Sequence, residues 1–367
     1  MANATNYSSS SGTLSPTEDN NPTFLFTSTT PMKNCITAFD TNRDGCLNYQ
    51  EFTMLCQALF RNERDEPYHI DPKSLKEMFD TFDVNEDGLI GEKEFESCWE
   101  KWVRKIVRPI AALVVVDVQN DFISGSLSIS NCSAKQMVKR ECNPFQVVEP
   151  INRLLDSVEF KSVYYTLDWH PENHISFLDN INQRKLHFSS KIPNPDDAKL
   201  YDTVTFEGPP VMEQTLWPRH CVQNSWGAKM HANLKIIEGS RFIYKGTNPN
   251  VDSYSAFWDN LKLSETGLIN ELESTGVTDC YVCGLAYNVC VGATALHALE
   301  LGYRTVLIND ASRGISLEDI QATKEKLSAN HGVVIHSDQV KDIVQGRDRR
   351  PELGLKLALE IRKQVKR

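Results

Sequence analysis

The spacing of apolar positions changes about a third of the way along the chain. Before Pro109 they recur every three or four residues, as in Phe52, Leu55 and Leu59, then Leu75, Met78, Phe79 and Phe82, then Phe95, Trp99 and Trp102. That period places each set on one face of a helix and predicts a small all-α unit over residues 31–108. Beyond Pro109 the apolar residues come in continuous runs of strand length: Ile110–Val116, Lys161–Leu167, Arg241–Tyr244, Asp279–Val282, Arg304–Ile308 and Gly332–Ile335. Helix-patterned stretches, Cys290–Leu301 and Leu317–Asn330, lie among them. Runs without polar alternation mark strands buried on both faces, and their alternation with helices predicts a doubly wound, mostly parallel α/β sheet over residues 109–350. Residues 351–367 read as an amphipathic, solvated terminal helix. Residues 1–30, rich in Ser, Thr and Asn, have no apolar period and are expected to be disordered.

Composition narrows the function classes. Among 367 residues, 49 Asp and Glu against 39 Lys and Arg give a net charge of −10. No long basic run precedes the last helix, so nucleic acid and anionic membrane are disfavoured as partners. Residues 1–108 carry 18 acidic and 11 basic side chains, so −7 of the −10 falls in the first third. No apolar run reaches the roughly 18 residues of a spanning helix, and the amino-terminal stretch lacks a signal-peptide pattern. Ten irregularly spaced cysteines read as reduced thiols, which points to the cytoplasm, with the nucleus left open.

The acidic segment has a specific cause. Asp40, Asn42, Asp44 and Asn48 stand at positions 1, 3, 5 and 9 of a loop with Gly45 at 6, the carbonyl of Cys46 at 7 and Glu51 at 12. A second loop repeats it with Asp83, Asn85, Asp87, Gly88, the carbonyl of Leu89 and Glu94; Gly91 at position 9 requires a water as stand-in. Alternate oxygens converge on one hard cation, the glycine permits the turn, and the glutamate closes the sphere. These are EF-hand loops for Ca2+, with Leu47 and Ile90 placed to pair the two. Whether the pair opens a groove for a calcium-dependent protein partner or merely buffers is left open.

In the second unit, polar residues stand where predicted strands end. Asp117 follows Val114–Val116, Lys245 follows Phe242–Tyr244, and Cys290 follows a Gly284-containing turn and opens a helix. A thiol at a helix amino end beside a lysine has two reasons for a depressed pKa, and a nearby carboxylate can take its proton. Asp168 and His170, two apart at a strand end, face one side, and His220 offers a third ligand, a set that suits Zn2+ or a similar divalent transition metal. His174 reads as a supporting or surface residue. Cys280 and Cys283 fall within a buried-strand pattern and read as packing, whereas Cys221, next to His220, reads as a reactive bystander without a base adjacent in sequence.

Residues 110–345 resemble the isochorismatase-like cysteine hydrolases, and among them the nicotinamidases. The resemblance rests on Val115-Val-Asp117-Val-Gln-Asn-Asp-Phe122, Thr166-Leu-Asp168-Trp-His170, Leu216-Trp217-Pro-Arg-His220-Cys221, Lys245-Gly-Thr, Tyr254-Ser-Ala-Phe257 and Gly284-Leu-Ala286-Tyr-Asn-Val-Cys290. The fusion to paired EF-hands is similar to nicotinamidases of invertebrate animals. The resemblance implies a catalytic triad of Asp117, Lys245 and Cys290, and an oxyanion hole from the amides of Ala286 and Cys290 after a cis Leu285–Ala286 peptide. It also implies a metal site of Asp168, His170 and His220, with the equivalent of His174 close to the metal in some relatives, and pocket aromatics Phe122, Trp217 and Tyr254. The implied reaction is hydrolysis of nicotinamide to nicotinate and ammonia in NAD salvage. Two alternatives stay open: another amide or ureido hydrolase of the same superfamily, and a calcium sensor that uses the hydrolase fold as scaffold. A homo-oligomer is also left open.

Overall fold

The structure is a computed structural model and describes residue 26 and residues 32–131 and 143–365. The expected disordered tail of residues 1–30 lies outside these, apart from Phe26, which is buried and stacked on Phe39. No helix among the described residues is long and apolar enough to cross a membrane.

The first unit comprises α1 (Met32–Phe39), β1 (Leu47–Asn48), α2 (Tyr49–Leu59), α3 (Pro72–Phe82), β2 (Leu89–Ile90) and α4 (Glu92–Cys98). Asn48 begins α2 as a capping box, its side chain accepting from the Gln50 and Glu51 amides while Glu51 accepts from the amide of Asn48. Asp71 caps α3 with Pro72 in the first turn. Gly45 and Gly88, at φ 84° and 86°, make the two loop turns. Leu47 lies opposite Ile90 in a two-stranded antiparallel pair that joins the loops. After α4 the helix runs on through a π turn, Trp99–Val103, and a last turn, Arg104–Val107.

The second unit contains β3 (Ala111–Val116), α5 (Val148–Ser157), β4 (Ser162–Asp168), β5 (Thr203–Phe206), β6 (Met212–Thr215), β7 (Arg241–Lys245), α6 (Leu268–Ser274), β8 (Asp279–Leu285), α7 (Gly292–Glu300), β9 (Arg304–Arg313), α8 (Leu317–Ala329) and β10 (Val333–Ile335). Six strands form one sheet in the order β7-β4-β3-β8-β9-β10, and every pairing is parallel. All six residues of β3 are buried, as its unbroken Ala-Leu-Val run requires of a central strand. The chain order reverses between β3 and β8, and at such a switch point the loops leaving the carboxyl ends diverge and leave a crevice. β8 and β9 run further than their apolar cores suggested, through a register shift between Val282 and Gly284. The β5–β6 hairpin was not foreseen, because its two short strands flank Gly208-Pro209-Pro210 within a polar stretch.

The chain ends in α9 (Pro351–Val365), and here the expectation of a solvated terminus is wrong. Leu355, Leu357, Ala358 and Ile361 lie in the core of the first unit, whereas Leu353 joins the core of the second. The two units therefore share this helix. They meet again at Arg304, which is buried, pairs with the buried carboxylate of Asp279 at 2.5 Å and donates to the Lys105 carbonyl at 2.7 Å. Burial pushes the pKa of Asp279 up, against the pull of Arg304. Replacing Arg304 by Met would strand that carboxylate and is expected to cost about 3–5 kcal/mol in urea unfolding, with much of the loss recovered when Asp279→Leu is added.

Candidate active site

Four strand ends converge on the switch point: Asp117 after β3, Asp168 at the end of β4, Lys245 at the end of β7 and Cys290 after β8. Asp117 sits at φ 52° and Ala286 at φ 60°, left-handed conformations that side chains other than glycine seldom take. They turn the chain abruptly out of the sheet. Cys290 then falls in a π-helical turn, Tyr287–Val291, immediately before α7. The Leu285–Ala286 peptide, expected to be cis, is trans: the left-handed Ala286 makes the bend instead.

Asp117, Lys245 and Cys290 come together. The Lys245 ammonium is fully enclosed, 2.9 Å from Asp117 Oδ2 and 3.5 Å from Cys290 Sγ; it also donates to the Ser253 carbonyl at 3.0 Å and pairs with Asp168. Thr166 Oγ1 donates to Asp117 Oδ1 at 2.5 Å. Burial opposes the charge on Lys245, but Asp117 and Asp168 outweigh it and hold its pKa well above the ordinary range. Burial pushes the Asp117 carboxyl up, and Lys245 only partly offsets this.

For the thiol, the sequence expectation is reversed. Burial holds Cys290 well above its ordinary pKa; Lys245 pulls it down, but the Asp117 and Asp168 carboxylates push the other way. The helix end and the lysine do not outweigh the loss of water. Burial thus favours the thiol form of Cys290, with the Asp117 carboxylate among the groups close to its sulfur.

Asp168, His170 and His220 also converge, all three buried. His170 Nδ1 lies 2.9 Å from the Gly246 carbonyl and His220 Nδ1 lies 2.7 Å from the Pro218 carbonyl. A carbonyl can only accept, so each ring carries a proton on Nδ1, and in the neutral ring this leaves Nε2, turned toward Asp168, as the lone-pair atom. The two Nε2 atoms stand 3.5 and 3.7 Å from Asp168 Oδ2, and that of His170 has no hydrogen-bond partner among the described residues. Two imidazole lone pairs and a carboxylate around one point fit a divalent transition metal. Gly246, at φ 64°, is required here, since a Cβ would come 2.3 Å from the His170 ring. His174 is not at the surface: it is fully buried, stacked on His170 with ring centres 4.0 Å apart.

A pocket opens between these groups, lined by Cys290, Ala286, Asp168, His220 and the expected aromatics Phe122, Trp217 and Tyr254. Its lining also includes Asp252, Leu127, Ile129 and Ile315, none of which the sequence singled out. Gln119 was also missed. Its side-chain amide accepts from the Asp168 N–H at 2.9 Å and donates to the carbonyls of Asp168 at 2.8 Å and Ala228 at 2.9 Å, clamping the ligand strand to the segment after His220. Asp121 does the same for the loop itself, accepting the Cys221 amide at 2.7 Å and the Ser126 amide at 3.1 Å. Both residues stand in the quoted Asp117–Phe122 motif, which was the available signal.

In the EF-hand loops, Asp40 accepts from the Asp44 and Gly45 amides at 3.2 and 3.0 Å, and Asp83 repeats this with Asp87 and Gly88 at 3.1 and 3.0 Å. These contacts fold each loop inward around donors that are all oxygens, as a hard cation requires.

Comparison with known proteins agrees with both units. An EF-hand domain pair matches residues 32–99 and an isochorismatase domain matches residues 111–339. The nicotinamidase of Escherichia coli is 35% identical over 213 residues, which span 57% of this chain and 86% of that protein. That of Saccharomyces cerevisiae is 33% identical over 233 residues, 60% of this chain and 96% of its own. A solved yeast nicotinamidase bound to the inhibitor nicotinaldehyde superposes with a TM-score of 0.51 at 32% identity, covering 62% of this chain and 99% of that one. With the domain match running from the first strand of the parallel sheet to just past its last, the chain belongs to the isochorismatase domain family and carries an EF-hand pair ahead of it.

Proposed function

We propose that the protein is a nicotinamidase, an amidohydrolase that releases nicotinate and ammonia from nicotinamide and so serves NAD salvage. One observation carries the reading: a single pocket, lined by aromatics that suit a flat ring, exposes the Cys290 thiol together with Asp168 and His220, and Asp117 and His170 stand against these same residues. The names of the curated relatives and of the solved yeast enzyme support it.

The chemistry follows from the resting protonation. As Cys290 Sγ attacks the amide carbon, its proton passes to Asp117, and the nearby Lys245 ammonium stabilises the sulfur charge as it develops. The backbone amides of Ala286 and Cys290 are the donors assigned to the oxyanion. Asp117 hands its proton to the nitrogen, the C–N bond breaks, and ammonia leaves a nicotinoyl thioester on Cys290. Water then gives a proton to Asp117 as it attacks; the C–S bond breaks, nicotinate departs and the thiol is reprotonated. Asp168, His170 and His220 would hold Zn2+ or a similar ion, whose Lewis acidity suits binding of the pyridine nitrogen. Asp40, Asn42, Asp44, Asn48 and Glu51, with the Cys46 carbonyl, and Asp83, Asn85, Asp87 and Glu94, with the Leu89 carbonyl, are assigned to two Ca2+ ions.

Cys290→Ser is expected to lower turnover of nicotinamide by about 10³-fold or more while metal content stays at the wild-type level, as read by ammonia release and elemental analysis. A nicotinoyl adduct trapped on another cysteine would remove Cys290 from its role. Benzamide has the same amide without the ring nitrogen, so kcat/KM for nicotinamide should exceed it by on the order of 10²-fold, and His220→Ala should erase most of that margin. Equal turnover of the two amides by metal-loaded enzyme would mean that the ion has another job. Calcium titration checks the first unit: Glu51→Gln and Glu94→Gln should each weaken one of two sites, leaving the transition-metal content untouched.

A further inference from the structure

The sequence left open what the EF-hand pair binds with its apolar cleft. In the structure the cleft is filled from within the chain. Phe52, Phe60 and Trp102 are fully buried, and α9 supplies Leu355, Leu357, Ala358 and Ile361 to the same core. The fit is close at one point: a Cβ on Gly354 would stand 2.3 Å from the Phe60 ring, and the Trp102 indole N–H donates to the Gly354 carbonyl at 2.7 Å. The segment leading into the helix is held as well. The Arg349 amide donates to the Arg61 carbonyl at 2.8 Å, and Tyr68 OH donates to Asp348 at 2.7 Å, both between the two hands.

The other side of α9 belongs to the hydrolase. Leu353 packs in its core, and the buried Lys356 ammonium donates to the Leu299 carbonyl at 2.8 Å. Leu299 lies in the last turn of α7, the helix that starts directly after Cys290.

We infer that α9 is the resident target of the EF-hand pair, so that the cleft is closed to outside helices and calcium binding and the seating of α9 on the hydrolase reinforce one another. This rests on reading the two loops as calcium sites. The coupling has a direct route. Glu51 and Glu94, the closing carboxylates, lie in the first turns of α2 and α4, so drawing them onto an ion fixes the direction of those helices. Phe60, directly after α2, and Trp102, in the π turn beyond α4, meet Gly354, and α3, which leads into the second loop at Asp83, lies along α9, so the elements that flank the loops form the seat. An arrangement favoured by both ligands makes each bind more tightly in the presence of the other, by an equal factor.

The test uses the full-length protein, stripped of calcium with a chelator and titrated with CaCl2 by calorimetry, alongside hydrogen exchange of the 351–361 segment. Gly354→Ala is the informative variant because alanine improves the helix itself while blocking its seat. Trp102→Phe, which removes only the indole hydrogen bond, serves as a milder second variant should the first not fold. Expected results are slower exchange in 351–361 when calcium binds to the wild type, and calcium affinity lower by about fivefold or more in Gly354→Ala. A synthetic peptide of residues 349–365 should not bind the wild type with calcium present. Two calcium ions bound with unchanged affinity in both variants, with exchange in 351–361 indifferent to calcium, would overturn the inference. So would capture of the peptide by the wild type. No calcium uptake by the wild type would instead defeat the reading of the loops on which it rests.

Discussion

The buried ammonium of Lys245 is the interaction on which the site depends. It lies between Asp117 and Asp168, one beside the thiol and the other between the two histidines, and pairs with both. Two carboxylates this close in a water-poor crevice would repel each other, and one would take up a proton. The single cation between them lets the Asp117 and Asp168 carboxylates stand within 4.8 Å of Cys290 Sγ and of each other. It also makes the two halves of the site electrically one object, so a change in charge at the histidine side is felt at the thiol.

Position follows from the sheet. β3, β4 and β7 are neighbours and parallel, so their carboxyl ends come out side by side, and Asp168 is paired in register with Lys245 itself. β8 adds Cys290 from across the switch point. Each residue alone has an ordinary explanation, such as a strand-end carboxylate or a buried lysine with a partner. Their meeting is what parallel strands of similar length at a topological reversal bring about.

Much of this could be read from the chain because strand-length Val and Ile runs ended in the residues that matter, and because the EF-hand loops are local in sequence. Gln119 and Thr166 were harder. Each acts on a residue 49 positions away, and nothing near either one reveals the partner. The pKa of Cys290 was misjudged for a similar reason: the helix end and the lysine are visible in sequence, whereas the depth of burial that outweighs them is a property of the assembled crevice. For α9 a signal was present. Leu353 and Leu355 point about 200° apart around a helix, so apolar residues at both places describe a helix with two covered sides, not a solvated one with a single stripe.

The covered helix sets the order in which the molecule can be completed. The EF-hand unit precedes the parallel sheet in the chain, yet part of its core consists of Leu355, Leu357, Ala358 and Ile361, which follow the sheet. The whole parallel sheet is synthesised in between. A unit made before the sheet but closed only after it has to wait with Phe52, Phe60 and Trp102 incompletely covered, and the return of α9 across so long a separation is a step of high contact order. Damage to α9 therefore acts at a distance: it opens the core of a unit that lies on the far side of the whole sheet in sequence.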